Sequence, residues 1–522
     1  MIRSIIILAF LLRSMSVLPA QSPNYVNVHN SLGYLATVFT GIYPTDSCVY
    51  LKGVMTDSLF RAGSFFSKVS LNGDFIWTKE LVDSTKIINT WFTDIIQNKQ
   101  GNFIIAGNYH DYVDEPSTAC YVAEYSPEGN LVNYNKFPSP YYPGNAFVTP
   151  LDIIALEEAG YVLVGNLGII GNKETFIARL DDSLQLQWLK PFGWSLREGS
   201  RSVLRDEDGG FIVAGWEFAN ADGGNSNIVS RKMIVKLDSL GENEAWVWKY
   251  PEPLLPPLRG YSVNDILLLP DGSIVGASAV SYEQFSAGGS SLLTYPTMFK
   301  LAPDHSTLAW ETRFGPNYFS RGWHEMRYIE PANDGGGYVG LGMLSLHDST
   351  SSGYAIVLGT LSKVAENGDS LWMQYLYFLP GPGDREHLAH AMKPAADGNG
   401  YWICGEVKSP YQKGWLLRVD NYGCMAPGCQ LSPASEALED KISLYPNPAS
   451  DFMVLQHNGY AFSKGRFRLV NTKGQIVQDW ASPMDDLQTV FDLQAYEAGA
   501  YFLQYVEQGV VLAVKKLIVT HP

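Results

Sequence analysis

Charge is scarce in this sequence. Asp, Glu, Lys and Arg make up 17% of its 522 residues, where about a quarter is usual. What charge there is leans one way, with 37 basic against 53 acidic residues and a net charge of -16. That field repels a phosphate backbone and excludes nucleic acid as a partner. Long apolar runs are also missing. The N-terminal run Ile5 to Leu12 is far shorter than the ~20 residues of a membrane-spanning helix, no later segment supplies one, and no transmembrane helix is expected. Five cysteines are too few for a disulfide scaffold of this length. No GxSxG elbow, P-loop, HExxH or βαβ-embedded GxGxxG occurs, and no stretch has the helical period most of those need.

Aromatic residues and glycine are plentiful, at 13% and 49 residues. This composition suits many short strands joined by tight turns and argues against disorder. The length is three to four times that of a typical domain of about 150 residues, so several domains or a repeat array must fill it. The chain does repeat. An apolar segment ending in a small residue recurs as Val49 to Gly53, Phe103 to Gly107, Tyr161 to Gly165, Phe211 to Gly215, Ser273 to Ala277, Tyr338 to Gly342 and Tyr401 to Gly405, at intervals of 50 to 65 residues. A glycine turn such as Asp208-Gly-Gly210 precedes most copies, and before it lies a first apolar run such as Asp94-Ile-Ile96 or Asp265-Ile-Leu-Leu268. A third run and a tryptophan-bearing fourth follow, with Trp77, Trp188, Trp248, Trp310 and Trp372, and Tyr134 in the second copy. Four antiparallel strands per unit predict an all-β fold, a seven-bladed β-propeller over residues 23–430, with the tryptophans packed between blades. The seventh unit lacks a fourth strand, and Asn24 to Val28 is the segment free to supply it.

The first 22 residues read as a signal peptide: Arg3 precedes the apolar run, and small residues follow at Leu18-Pro-Ala-Gln-Ser22. Export makes a local disulfide between Cys424 and Cys429 the expected pairing, while Cys48, Cys120 and Cys404 sit in apolar runs as small buried side chains. Residues 431–440 are a Ser, Pro, Ala and Glu linker. Residues 441–522 alternate apolar and polar in short strands and predict a small C-terminal β-sandwich. They hold 7 basic and 7 acidic residues, so the acidity belongs to the propeller.

Four motifs follow in order through this tail: Leu444-Tyr-Pro-Asn-Pro-Ala-Ser-Asp451, Asn471-Thr-Lys-Gly-Gln475, Gly499-Ala-Tyr-Phe-Leu503 and Lys515-Lys-Leu-Ile-Val519. The set resembles the type A C-terminal sorting domain of the type IX secretion system, also called the Por secretion system. Its matching residues are Tyr445, Pro446, Asn447, Pro448, Gly474, Gly499, Tyr501, Lys515 and Lys516. Ala500 stands where a β-branched residue is commoner, and His521-Pro522 run slightly past the usual end. The resemblance implies a bacterium of the Bacteroidetes lineage and a cargo passed to the secretion machinery through this tail. The cargo would be secreted or anchored at the outer surface of the outer membrane. It implies no catalytic residue.

No catalytic set and no cofactor can be read from the sequence. Calcium would suit only the oxygen-rich loop Asn220 to Asn227, and no metal site is assigned. His324, and the pair His387 and His390, lack the spacing of a metal site. The connections after the second and fourth strands of each unit are expected to be long and to share one face of the ring. That face would collect Tyr141, Tyr142, Trp194, Arg197, Trp216, Tyr261, Tyr318, Arg321, Trp323 and Arg385 for a glycan or protein ligand. The sequence thus favours a binding or adhesion module, with a glycan-active enzyme of dispersed catalytic residues as the alternative.

Overall fold

The computed structural model describes residues 25–26 and, apart from parts of the connections between strands, 33–424 and 442–520. The signal segment and the linker at 431–440 lie outside the described residues. Among those described, every regular element is a strand, and no helix is long and apolar enough to cross a membrane. The chain divides into two compact units, Met1–Met425 and Ala426–Pro522.

The larger unit consists of four-stranded antiparallel sheets that follow one another along the chain. Their first strands are Ala36–Pro44, Phe147–Ala155, Glu198–Arg205, Leu258–Leu268, Glu325–Pro331 and Glu386–Pro394. In the second sheet the first strand is split into Lys86–Asn89 and Ile95–Gln97. Each first strand packs on the first strand of the next sheet, and the circuit returns from Glu386–Pro394 to Ala36–Pro44. The sheets therefore form a closed ring of seven, a β-propeller, with the first strands innermost. Tyr25–Val26 pairs antiparallel with Tyr411–Val419, Tyr25 opposite Leu417 and Val26 opposite Leu416, and so adds the fourth strand of the seventh sheet. A sheet edge that would otherwise be open at the seam is covered.

The repeated small residue has a structural cause. Each of the six unbroken innermost strands carries an extra, unpaired residue at mid-length: Thr40, Leu151, Arg201, Asn264, Arg327 and His390. Such a bulge turns the local backbone and re-aims its side chain. It also drives a carbonyl toward the neighbouring strand. A Cβ at Gly165 would lie 2.0 Å from the Thr149 oxygen, at Gly215 1.9 Å from the Gly199 oxygen and at Gly405 1.9 Å from the Leu388 oxygen. Only glycine fits there. The fifth unit has two register shifts instead of one, and there Ala277 is accommodated.

Between sheets, the fourth-strand tryptophan docks on the turn joining strands three and four of the next sheet. Trp77 covers Gly129, Trp188 covers Gly241 and Trp310 covers Gly368, and Trp372 covers Gly423 in the turn that follows the third strand of the seventh sheet, each glycine at positive φ. In the fourth unit the residue in this role is Trp246, whose ring stacks on positive-φ His305 at 4.3 Å, while Trp248 is buried against Phe299 of the next sheet.

The smaller unit has two sheets. One pairs Ile442–Tyr445, Phe452–His457 and Gln488–Asp492; the other pairs Ile476–Ala481, Arg466–Asn471, Gly499–Glu507 and Val510–Val519. Met453 and Leu455 of the first pack with Phe467, Leu503, Tyr505 and Leu517 of the second in one core. This is the expected sandwich.

Candidate functional site

The bulges place side chains in an axial cavity of about 620 Å³, lined by the innermost strands of sheets two to seven. The size is that of a small-ligand site. Leu151, Arg201, Asn264, Arg327 and His390, the bulge residues of five sheets, all line it. Trp91 and Gln412 also line a second cavity of about 200 Å³ between the first two sheets, beside Ala36, Thr56 and Gly63. Those residues belong to the strand ends that meet the second-strand and fourth-strand connections.

The lining is a linked set of charges. Arg327 Nε donates to Glu325 Oε1 at 2.7 Å, and its Nη1 lies 3.1 Å from His390 Nδ1. A guanidinium has no lone pair to offer, so His390 Nδ1 must accept, and Nε2–H then donates to Glu406 Oε1 at 3.2 Å. His390 is thereby the neutral Nε2–H tautomer. Burial agrees, lowering its pKa against the opposing pull of Glu406. Asn264 Nδ2 holds the Met326 carbonyl at 2.8 Å and reaches the second Glu325 oxygen at 3.4 Å.

Beyond this tier, Lys393 Nζ bridges Asp94 Oδ2 at 3.1 Å and Glu330 Oε1 at 3.0 Å. Burial alone would lower the Lys393 pKa, but Asp94, Glu330 and Asp265 carry it well above the ordinary lysine value. Asp152 accepts the Ile153 amide in its own strand and the Val203 amide of the next sheet, both at 2.8 Å. Asp265 does the same with Ile266 at 2.9 Å and Ile329 at 3.0 Å. Burial pushes Asp152 up to about 7 and Asp265 up to about 8, against those amide bonds. Behind the lining, fully buried Lys52 donates to the Thr90 carbonyl and to Thr40, and burial lowers it to about 8 although Asp94 and Cys404 oppose the shift.

The residues expected on the loop face fare differently. Tyr142, Trp194, Arg197, Tyr318, Arg321, Trp323 and Arg385 lie outside the described residues, and Tyr261 is placed only by its backbone in Leu258–Leu268. Tyr141 is exposed, but its hydroxyl donates to the Leu189 carbonyl of the next sheet at 2.9 Å. Trp216 is half-buried within Phe211–Asn220 opposite Gly199, where a Cβ would meet its ring at 2.6 Å. Both therefore pack against protein. The connections after the second strand are often short, as at 170–171 and 287–288, because long hairpin strands replace the expected loops; those after the fourth strand are longer.

Cys424 is disulfide-bonded, Cys48, Cys120 and Cys404 are free and buried, and Cys429 lies outside the described residues. The loop considered for calcium lies largely outside them too. Among the described residues no group of three or more His, Cys, Asp or Glu is placed to hold a metal. Asp206 and Asp208, in the glycine turn before Phe211, hold the Lys236 ammonium. The axial charges were missed from sequence. Their available signal was the aspartate opening the first apolar run of a unit, as in Asp94, Asp152 and Asp265.

In the tail the first and last motifs form one clamp. Asn447 Nδ2 donates to the Lys516 carbonyl at 2.7 Å and its Oδ1 accepts the Ile518 amide at 2.9 Å. Ala449 then exchanges backbone bonds with Ile518 and Thr520, both at 2.8 Å. Pro446 and Pro448 follow cis peptide bonds. Tyr501 is buried with its hydroxyl on the Glu497 carbonyl at 2.9 Å, Gly499 pairs with Val519, and Lys516 is exposed beside half-buried Lys515. Gly474 lies outside the described residues.

No curated protein matches the chain. Among solved structures, a protein of unknown function from Bacteroides caccae is 9% identical over 53% of this chain and 81% of its own, with a TM-score of 0.30. Levansucrase from Bacillus subtilis is 10% identical over 54% of this chain and 90% of its own, at 0.31. A puromycin hydrolase is 12% identical over 74% of this chain and 52% of its own, at 0.39. Likeness at that level says nothing about activity. Residues 443–520 match the family described as the secretion system C-terminal sorting domain, so it is the tail of this chain that is shown to resemble that family.

Proposed function

We propose that this protein is a cargo of the type IX secretion system whose ring is a recognition module for a glycan or protein, displayed at the cell surface or released. The sorting tail implies secretion in general; the recognition role rests on the pairing inside the axial cavity. Each carboxylate that lines it has a partner: Glu325 has Arg327, Glu406 has His390, Asp94 and Glu330 share Lys393, and Asp152 and Asp265 hold backbone amides of the next sheet. A general acid or base needs a carboxyl free to exchange its proton with a substrate. Most of these oxygens are engaged by neighbouring side chains or by backbone amides of the ring, which suits a preformed binding surface; the two left idle, one on Glu406 and one on Asp94, are placed to accept from a ligand. The loop face, with Trp194, Arg321 and Trp323, is the second place where a ligand would be held. The mature protein applied to glycan and protein arrays should bind a defined ligand and leave it uncleaved. Hydrolysis of an arrayed polysaccharide, or no binding to anything, would overturn the reading.

A further inference from the structure

The polar groups of the axial cavity are unevenly satisfied, and the pattern specifies a ligand class. Arg201, the bulge residue of the fourth sheet, lines the cavity and is exposed there. Among the described residues its guanidinium has neither an ion pair nor a hydrogen bond. Its nearby carboxylate, Glu325, is already taken by Arg327. The protein walls around the cavity partly desolvate the Arg201 guanidinium and lower its pKa; Arg327 adds to the effect, and Glu325 only partly opposes it. An arriving anion would relieve that strain and offer the two parallel acceptors a guanidinium matches best.

Elsewhere in the lining the shortage is of donors. Glu406 is 1% exposed, with one oxygen on His390 and, among the described residues, no donor on the other. Asp94 has one oxygen on Lys393 and likewise none on Oδ1. Buried acceptors left without a donor are costly. The terminal torsion of a carboxyl group is soft, so either can turn its idle oxygen toward a hydroxyl brought into the cavity. Trp91, where the cavity meets the groove between the first two sheets, adds an apolar ring of the kind that sugar faces pack against. One acceptor is wanted at Arg201, donors at two carboxylates, and an apolar face at Trp91.

This inference rests on the recognition reading and names its ligand. The geometry points to an acidic sugar, a uronic- or sialic-type residue of a glycan, with its carboxylate on Arg201, its hydroxyls donating to Glu406 and Asp94, and its ring beside Trp91. A neutral sugar would leave the guanidinium unmet, and a cationic ligand would face it directly.

Titration calorimetry on the mature protein tests this with glucuronate, galacturonate and N-acetylneuraminate, and with glucose and galactose as neutral counterparts. At least one acid should bind about tenfold or more tightly than the neutral sugars. Arg201→Gln should remove about that same factor without lowering the melting temperature, because Arg201 ties no elements together. Arg201→Lys, which keeps the charge and loses the fork, should fall between. Equal affinity for neutral sugars, full binding by Arg201→Gln, or no binding of any of the three acids at millimolar concentration would overturn it. If the arrays yield a ligand whose binding ignores Arg201, this assignment falls and the recognition reading stands; if the arrays yield none, the recognition reading falls first.

Discussion

Asp152 and Asp265 each use one oxygen on an amide of their own strand and the other on an amide of the next sheet. They fasten neighbouring sheets at the axis. Asp94, Glu330 and Lys393 are the charged groups around them, and burial still dominates, raising both carboxyls to about 7 and about 8 from an ordinary 3.8. The folded protein therefore keeps protons that the unfolded chain has lost above pH ~4. With more protons bound in the native state, stability falls as pH rises. The contribution is complete below the unfolded pKa and is lost as pH climbs through about 8. Lys52 acts the other way, but only above its depressed value of about 8, where rising pH favours the folded state. Between pH 5 and 8 the thermal midpoint of the mature protein should drop by a few degrees. Asp152→Asn with Asp265→Asn should flatten that slope, since neither amide titrates. An unchanged slope in the folded double variant would show that these carboxyls are ionised across the range.

At the scale of the element, the repeat was legible because its glycines are compelled by contact. Gly165, Gly215 and Gly405 face the carbonyls that the bulges push forward, so each unit keeps a small residue there whatever else drifts. The purpose of those bulges was not legible. They bring Arg201, Arg327 and His390 to one axis from three sheets, and that nearness is set by the closing of the ring, which no sequence interval records. The loop-face residues expected from sequence rested on interval alone, and Tyr141 and Trp216 turn out to be packed against neighbouring strands. The tryptophans were read correctly as spacers between sheets, yet their docking partner, the positive-φ turn residue of the next sheet, emerges only from the structure. That partner is testable. Gly129 has φ +79 and a Cβ there would lie 2.8 Å from the Trp77 ring; Gly398 has φ +71 with nothing within 4 Å. Gly398→Ala should cost about 1 to 2 kcal/mol, the left-handed penalty alone. Gly129→Ala should cost that plus displacement of the indole, about 1 to 3 kcal/mol more, in denaturant titrations followed by tryptophan fluorescence. Equal losses in the two variants would mean that Trp77 does not depend on this seat.

For the whole molecule, the two compact units divide the work between ring and address, and each is closed by its chain ends. Tyr25–Val26 completes the seventh sheet of the ring. In the tail, the strand Val510–Val519 is held at one side by its ladder with Gly499–Glu507 and at the other by the clamp from Asn447 and Ala449. The first and last sorting motifs thus depend on each other through a single side chain. Asn447→Ala removes both of its bonds, a loss of about 1 to 3 kcal/mol, and leaves the Lys516 carbonyl and Ile518 amide to water. The core of Phe467, Leu503, Tyr505 and Leu517 is untouched, so the sandwich should still fold but with its C-terminal strand loosened. Because the ring is a separate unit, its own unfolding transition should not move. In the native secreting host, the Asn447→Ala protein should accumulate in the periplasm with a folded ring, a milder form of the block expected on deleting residues 437–522. Pulse-chase fractionation of periplasm, surface and medium would measure it. Wild-type export by the clamp variant would separate the structural role of Asn447 from sorting, and export of the deleted chain would break the link between this tail and secretion.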